Sequence, residues 1–190
     1  MKDNLIKEAA DKYGEFLSVL GFDWRNDPNM KDTPTRVSKM YIEEIYSGVY
    51  TEAPVITTFD NKNNYDGIVF QGSIPVISTC SHHALPFIGK AHVAYLPGTK
   101  VIGLSKLNRV VEWFARRPQV QENLTMEIHD HLDKICESNG GIAVVIECKH
   151  LCCSNRGVKH NSTMKTAKLS GAFKNDPSCR EEFYDFIKSL

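Results

Sequence analysis

Two cysteines and a small set of histidines are the residues whose types and spacing point to chemistry. Cys80 and His83 stand as C-x2-H in Ser78-Thr79-Cys80-Ser81-His82-His83, a common spacing for two ligands to one zinc ion. A third soft ligand is offered by the β-branched run that reaches Cys152. Read as a strand, its alternation puts His150 and Cys152 on one face and Leu151 and Cys153 on the other. Two thiolates and one imidazole leave the fourth tetrahedral position to water, the mark of a catalytic rather than a structural zinc. Such an ion can bring the pKa of its water to about 7. His82 and His150 then read as proton carriers beside that water, because imidazole ionises near neutral pH.

A second set of residues could hold a polyanion. Lys106 and Arg109 are three apart at the start of an expected helix, so they share a face near its positive end. Ser105 can cap that helix or bond a phosphate. Arg156 follows the cysteine-bearing strand, and Arg36 lies on an expected helix near the amino terminus. Glu122, after Gln121, suits a purine edge, since one carboxylate can accept from both the N1–H and the 2-amino group.

Each of these residues also has a plainer reading. A lone C-x2-H pair is weak, and a cysteine on a β-branched strand is commonly a small core residue. Cys148 shares the expected face of Cys152 and is a rival ligand. Cys136 and Cys179 sit in helical contexts with no assigned role, and His160 carries no clear signal. His92, on a strand, and His129 and His131, on a helix, read as ordinary surface or boundary residues. An isolated Lys or Arg is usually a solvated charge, and a Glu in a first helical turn usually answers the helix dipole.

The elements that must position these side chains follow from apolar spacing and turn residues. Ile6, Ala9, Tyr13, Phe16, Leu17 and Leu20 mark one face of a first helix that Gly21 stops. Asp32-Thr33-Pro34 reads as a capped start, followed by Val37, Met40, Tyr41 and Ile45 and ended by Gly48. A connection with a short strand at Val55 to Phe59 leads to two β segments, about Gly67 to Ile77 and Phe87 to Leu96. Helices follow from Ser105, along Leu107, Val110, Val111 and Phe114, and from about Val120, along Leu124, Ile128, Leu132 and Ile135. Pro118 separates them, and Asn139-Gly140-Gly141 ends the second. Ile142 to Cys152 and Thr163 to Phe173 read as strands, and a short helix follows Pro177. The order predicts an α+β fold with a mostly antiparallel sheet and a helix pair between strand pairs. Residues 1–50 form an amino-terminal helical region and residues 51–190 a catalytic domain.

Bulk properties narrow the partners. The 190 residues carry 23 Lys plus Arg against 23 Asp plus Glu, which argues against nonspecific binding to nucleic acid or a membrane surface. No apolar run is long enough to span a bilayer, and the stretch from Met1 to Leu5 lacks the apolar core of a secretion signal. Six cysteines without a small-domain disulfide pattern fit a cytoplasmic chain whose thiols serve metal or catalysis.

From about Ile6 to Phe186 the chain resembles the GTP cyclohydrolase I family. The resemblance rests on ordered blocks: Asp32-Thr33-Pro34-Thr35-Arg36, Thr79-Cys80-Ser81-His82-His83, Gly89-Lys90, and Ala94-Tyr95-Leu96-Pro97. It continues through Val101 to Arg109, Arg117 to Thr125, His150-Leu151-Cys152 and Arg156-Gly157. It implies a tunnelling fold whose subunits join sheets into a toroidal barrel, a homodecamer with sites at subunit interfaces. It also implies hydrolysis of GTP to 7,8-dihydroneopterin triphosphate and formate by zinc-activated hydroxide at purine C8, feeding tetrahydrofolate or 7-deazaguanine synthesis. By the same match Cys80, His83 and Cys152 hold Zn2+, and His82 and His150 move protons, with Ser105 a further participant. Glu122, with backbone near Gln121, takes guanine. Ser105, Lys106, Arg109, Arg156 and Arg36 take the triphosphate.

Two positions depart from the family, the second being Cys153, an unusual neighbour for Cys152 that could compete for metal or oxidise with it. The first, Ser81, stands where a Glu usually lies between the Cys and the His pair, which alters charge near the metal without touching the ligands. A GTP-binding protein that has lost catalysis is the alternative that this serine favours. Sister tunnelling-fold enzymes fit less well: a three-histidine zinc site conflicts with the cysteine pair, and no dinucleotide fingerprint accompanies a nitrile-reductase reading. A nucleobase deaminase would need H-x-E with P-C-x-x-C, and neither string occurs.

Overall fold

The computed structural model describes residues 2–136 and 139–190. Met1 and the two residues before Asn139, both within stretches read above, lie outside them. By contacts the chain divides into residues 1–51 and 52–190.

In the first unit α1 (Lys2–Val19) buries Ile6, Ala10, Gly14 and Leu17. Phe16 and Leu20, expected on that face, are exposed. The register shifts because Gly14 packs against the Trp24 ring, where a Cβ would collide. Gly21, at φ 87°, stops the helix as expected. The second expected helix divides into α2 (Thr33–Met40), a π-helical turn over Tyr41–Ile45, and α3 (Ser47–Tyr50). Asp32 does not cap α2 through its side chain. Its carboxylate pairs instead with Arg36 at 3.3 Å.

The second unit sets a helix pair between two pairs of long strands, as expected, with three short strands besides. β1 (Thr58–Asp60) pairs antiparallel with β4 (Lys100–Ile102), starting later than the expected Val55. β2 (Val69–Cys80), β3 (Pro86–Leu96), β5 (Pro118–Gln119), β6 (Gly141–His150) and β7 (Thr163–Leu169) form one sheet in the order β5-β2-β3-β6-β7. Every pair is antiparallel except β2 with β5. Between the strand pairs lie α4 (Leu104–Ala115) and α5 (Gln121–Ile135). After β6 comes the single turn α6 (Leu151–Ser154), and after β7 come α7 (Gly171–Asn175) and α8 (Pro177–Lys188).

Both sheet faces are covered, and this sets the burial pattern. Ile142, Val144 and Ile146 of β6 pack with Leu107, Val110 and Val111 of α4 and with Leu124, Ile128 and Leu132 of α5. Ala143 and Val145, pointing the other way, pack with Phe173 of α7 and Phe183 of α8. Each fully buried Leu, Ile or Phe contributes about 1.5–3 kcal/mol. The same double cover fully buries His92, expected at the surface or a boundary. His129 is buried as well, within reach of Asp130 at 2.9 Å and Ser170 at 3.0 Å, so it ties α5 to the end of β7.

Two expected strands end early. The run to Cys152 stops at His150 and turns into α6, and the run to Phe173 stops at Leu169, ahead of α7. Among the described residues no helix is long and apolar enough to cross a membrane.

Candidate metal and nucleotide site

Strand register brings the reactive residues together. Thr79 pairs with Pro86 across β2 and β3, and Phe87 pairs with His150 across β3 and β6. The end of β2 and the end of β6 therefore flank the start of β3. The five residues joining β2 to β3 fold back tightly: Cys80 N–H donates to Leu85 O at 2.8 Å, and Ala84 N–H donates to Cys80 O at 2.9 Å. Ala84 takes a left-handed φ of 52° to close that turn. Ser81 N–H donates to Gln119 O at 3.0 Å, joining the turn to β5 and so to the start of α5.

In this frame one ligand atom each from Cys80, His83 and Cys152 lies within 4.8 Å of the other two. Cys80 and Cys152 are buried, while His83 is exposed. A tetrahedral zinc with bonds of about 2.0–2.3 Å needs ligand atoms roughly 3.5–4 Å apart, so the three fit such an ion with only small closure. The donor set fits as well: two soft thiols and one imidazole, with one side open through His83. Burial first, and then the neighbouring Cys80 and Cys153, push the Cys152 thiol up to about 11. A cation between the thiols reverses that cost, since a coordinated thiol is deprotonated.

Strand alternation is not what delivers Cys152, because the residue stands on α6. The helical turn aims Cys152 inward and leaves Cys153 exposed. Cys148, the rival, is buried in the core facing Gly89, and burial, with Glu147 adding to it, pushes its thiol up to about 12. Cys136 is also buried, and Cys179 lies on α8.

Both proton-carrying candidates adjoin the cluster. His82 Nδ1 lies 3.8 Å from Cys80 Sγ. His150 lies flat against Phe87 and has its Nε2 2.8 Å from Gln121 Oε1. Burial lowers the pKa of His150, and the Glu122 carboxylate opposes that shift. Glu122 itself is exposed and opens onto a cavity of about 250 Å3 between α5 and β7, bounded by Met126 and Lys168. Gln121, its neighbour, points inward and is buried. Its side chain faces protein groups, so only its backbone is left for a ligand.

The polyanion candidates on α4 lie toward the other end of β3, since Ile102 N–H, just ahead of α4, donates to the Tyr95 hydroxyl at 2.8 Å, whereas Arg156 closely follows Cys152. Ser105, Lys106 and Arg109 occupy the first turns of α4, where Gly103 rather than Ser105 takes the capping position. Ser105 and Arg109 are exposed and Lys106 is half-buried, while Arg156 is exposed just beyond α6. Among the described residues none of these three cations forms an ion pair, unlike Arg36. Sequence reasoning missed Phe87 and the inward role of Gln121. Only the register of β3 against β6 and the direction of the first α5 side chain identify them.

The family model described as GTP cyclohydrolase I matches residues 9–188. A GTP cyclohydrolase 1 of Flavobacterium johnsoniae is 47% identical over 185 residues, covering 96% of this chain and 82% of that protein. One from Aliivibrio salmonicida is 42% identical over 196 residues, covering 99% and 89%. One from Shewanella denitrificans is 45% identical over 176 residues, covering 92% and 80%. Among solved structures, the archaeosine synthase QueF-Like in the apo form aligns with a TM-score of 0.45 at 14% identity, over 55% of this chain and 94% of that one.

Proposed function

The chain belongs to the GTP cyclohydrolase I family of enzymes, and we propose that it hydrolyses GTP to 7,8-dihydroneopterin triphosphate and formate. The observation that carries this reading is the convergence of Cys80, His83 and Cys152, with His82 and His150 beside them. Cys80, His83 and Cys152 hold the metal. Zinc, when bound, supplies Lewis acidity that brings water toward ionisation at neutral pH.

The remaining work falls to side chains. Glu122 accepts from the N1–H and 2-amino group of guanine, with backbone near Gln121 assisting, and so sets the purine's orientation. Lys106, Arg109, Arg156 and Arg36, with the Ser105 hydroxyl, hold the triphosphate. Water adds at C8, and a histidine of the His82–His150 pair delivers a proton to N7 as the imidazole ring opens. A second hydrolysis releases C8 as formate. The ribose then opens, rearranges in the Amadori sense, and closes on the freed amine with loss of water. Ser105 takes part in these later proton transfers.

The start of α4 lies by Tyr95, at the other end of β3 from Phe87, which supports sites completed between subunits, as in a homodecamer. In the cytoplasm the product supplies tetrahydrofolate or 7-deazaguanine synthesis. Incubating the purified protein with GTP, with and without a zinc chelator, tests the reading. A fluorescent pterin appears after oxidation and dephosphorylation, disappears on chelation, and is absent in His82→Ala. Binding of GTP without release of formate by the zinc-loaded protein would overturn the proposal in favour of a non-catalytic binder.

A further inference from the structure

Gln121 begins α5, yet its side chain is only 1% exposed. Its Nε2 faces Ile146 O at 3.1 Å, Met164 O at 3.2 Å and Thr166 Oγ1 at 3.1 Å. Its Oε1 faces His150 Nε2 at 2.8 Å. Backbone carbonyls can only accept, so the amino end of the amide must be the end turned to β6 and β7. The oxygen end is therefore fixed toward His150. An amide oxygen can only accept, so the hydrogen of that bond sits on His150 Nε2.

We infer that Gln121 is a positioning residue for the reaction: it holds His150 as the Nε2–H tautomer and leaves the lone pair of the neutral ring on Nδ1. The inference rests on the reading of His150 as a proton carrier. A neutral imidazole has one nitrogen that donates and one that accepts, and proton exchange with substrate needs the correct one presented. The ring plane is held independently by Phe87, with centroids 4.7 Å apart and planes 10° from parallel. Stacking alone leaves the ring free to flip over and exchange its nitrogens. The Gln121 bond removes that freedom.

The first turn of α5 is itself anchored. Thr125 Oγ1 donates to Gln121 O at 2.8 Å and lies 2.6 Å from Thr166 Oγ1. Gln121 and Glu122 are consecutive, so one anchored turn sets both the tautomer of the proton carrier and the carboxylate that orients the purine.

The test compares zinc-loaded wild type, Gln121→Met and Thr166→Val, measuring kcat and KM for formate release, bound zinc and thermal midpoint. Methionine keeps the volume and removes the acceptor. Thr166→Val removes one of the three acceptors of the Gln121 amino group and keeps the two carbonyls, so the amide oxygen stays turned to His150. Gln121→Met is expected to lose about 10- to 100-fold in kcat, with KM and zinc content unchanged. Thr166→Val is expected to lower the thermal midpoint and keep the wild-type kcat. The structure of Gln121→Met should show the His150 ring turned out of its wild-type orientation. An unimpaired kcat in Gln121→Met overturns the inference while wild-type turnover leaves the functional reading standing. So does a loss that merely follows zinc content, or an equal loss of kcat in Thr166→Val. A zinc-loaded wild type that releases no formate overturns the functional reading, and this inference with it.

Discussion

The imidazole of His150 lies against the ring of Phe87, its cross-strand partner, with centroids 4.7 Å apart and planes 10° from parallel. Phe87 is fully buried, so it gives the last residue of β6 a fixed surface to rest on. The pair occupies the point where β6 ends and the chain turns into α6 toward Cys152. A core ring on β3 thus fixes the orientation of a polar residue at the site.

Phe87→Leu should therefore cost both stability and rate. Loss of buried ring area and of the stack predicts about 1–2 kcal/mol of destabilisation, read from denaturant unfolding. A displaced imidazole predicts a fall in kcat of about tenfold. An unchanged kcat at reduced stability would show that the stack serves packing alone.

The two cysteines near the end of β6 should separate cleanly. Cys152→Ser removes one of the three proposed ligands, and the purified protein should hold far less zinc than wild type. Cys148→Ala opens a small void in the core and should cost about 1 kcal/mol while zinc content stays at the wild-type level. Metal analysis beside thermal unfolding distinguishes them.

Gly89 is required by the close approach of β3 to β6. A Cβ there would collide with the carbonyl oxygen of Glu147 and with the backbone and thiol of Cys148. Gly89→Ala should lower stability by about 1–3 kcal/mol or more. Because the same two strands place Phe87 and His150, zinc content should fall with it.

Stability should also depend on pH in a defined direction. Burial lowers the pKa of His92 and of His131 below the ordinary 6.5. Around His92, Lys90 and Lys165 add to that shift and Glu147 opposes it. The unfolded chain then binds more protons than the folded one once pH drops below 6.5. This stabilisation is full above 6.5 and is lost as pH falls toward the folded values. Thermal midpoints measured downward from pH 7 should decline, and His92→Gln, which cannot take up the proton, should flatten the decline.

The sequence was most informative where local spacing decides structure. Leu107, Val110, Val111 and Phe114 mark the buried face of α4, and Leu124, Ile128 and Leu132 that of α5. The C-x2-H pair and Cys152 do meet, although the strand reading behind Cys152 was wrong. Nothing in β-branched alternation announces that the chain turns helical at Leu151. His92 and His129 read as surface or boundary residues because their burial comes from α7, α8 and the end of β7, distant in sequence. Ser105 looks like a cap, yet the helix begins one residue earlier. The partnership of Gln121 with His150 depends on a side-chain direction that spacing does not encode.

X-ray absorption at the zinc edge of the loaded protein tests the central claim most directly. The account predicts two sulfur ligands at about 2.3 Å and one imidazole nitrogen at about 2.0–2.1 Å, with a further light atom from solvent. One sulfur should vanish in Cys152→Ser. A shell of four protein ligands, or a spectrum unchanged by that substitution, would contradict it.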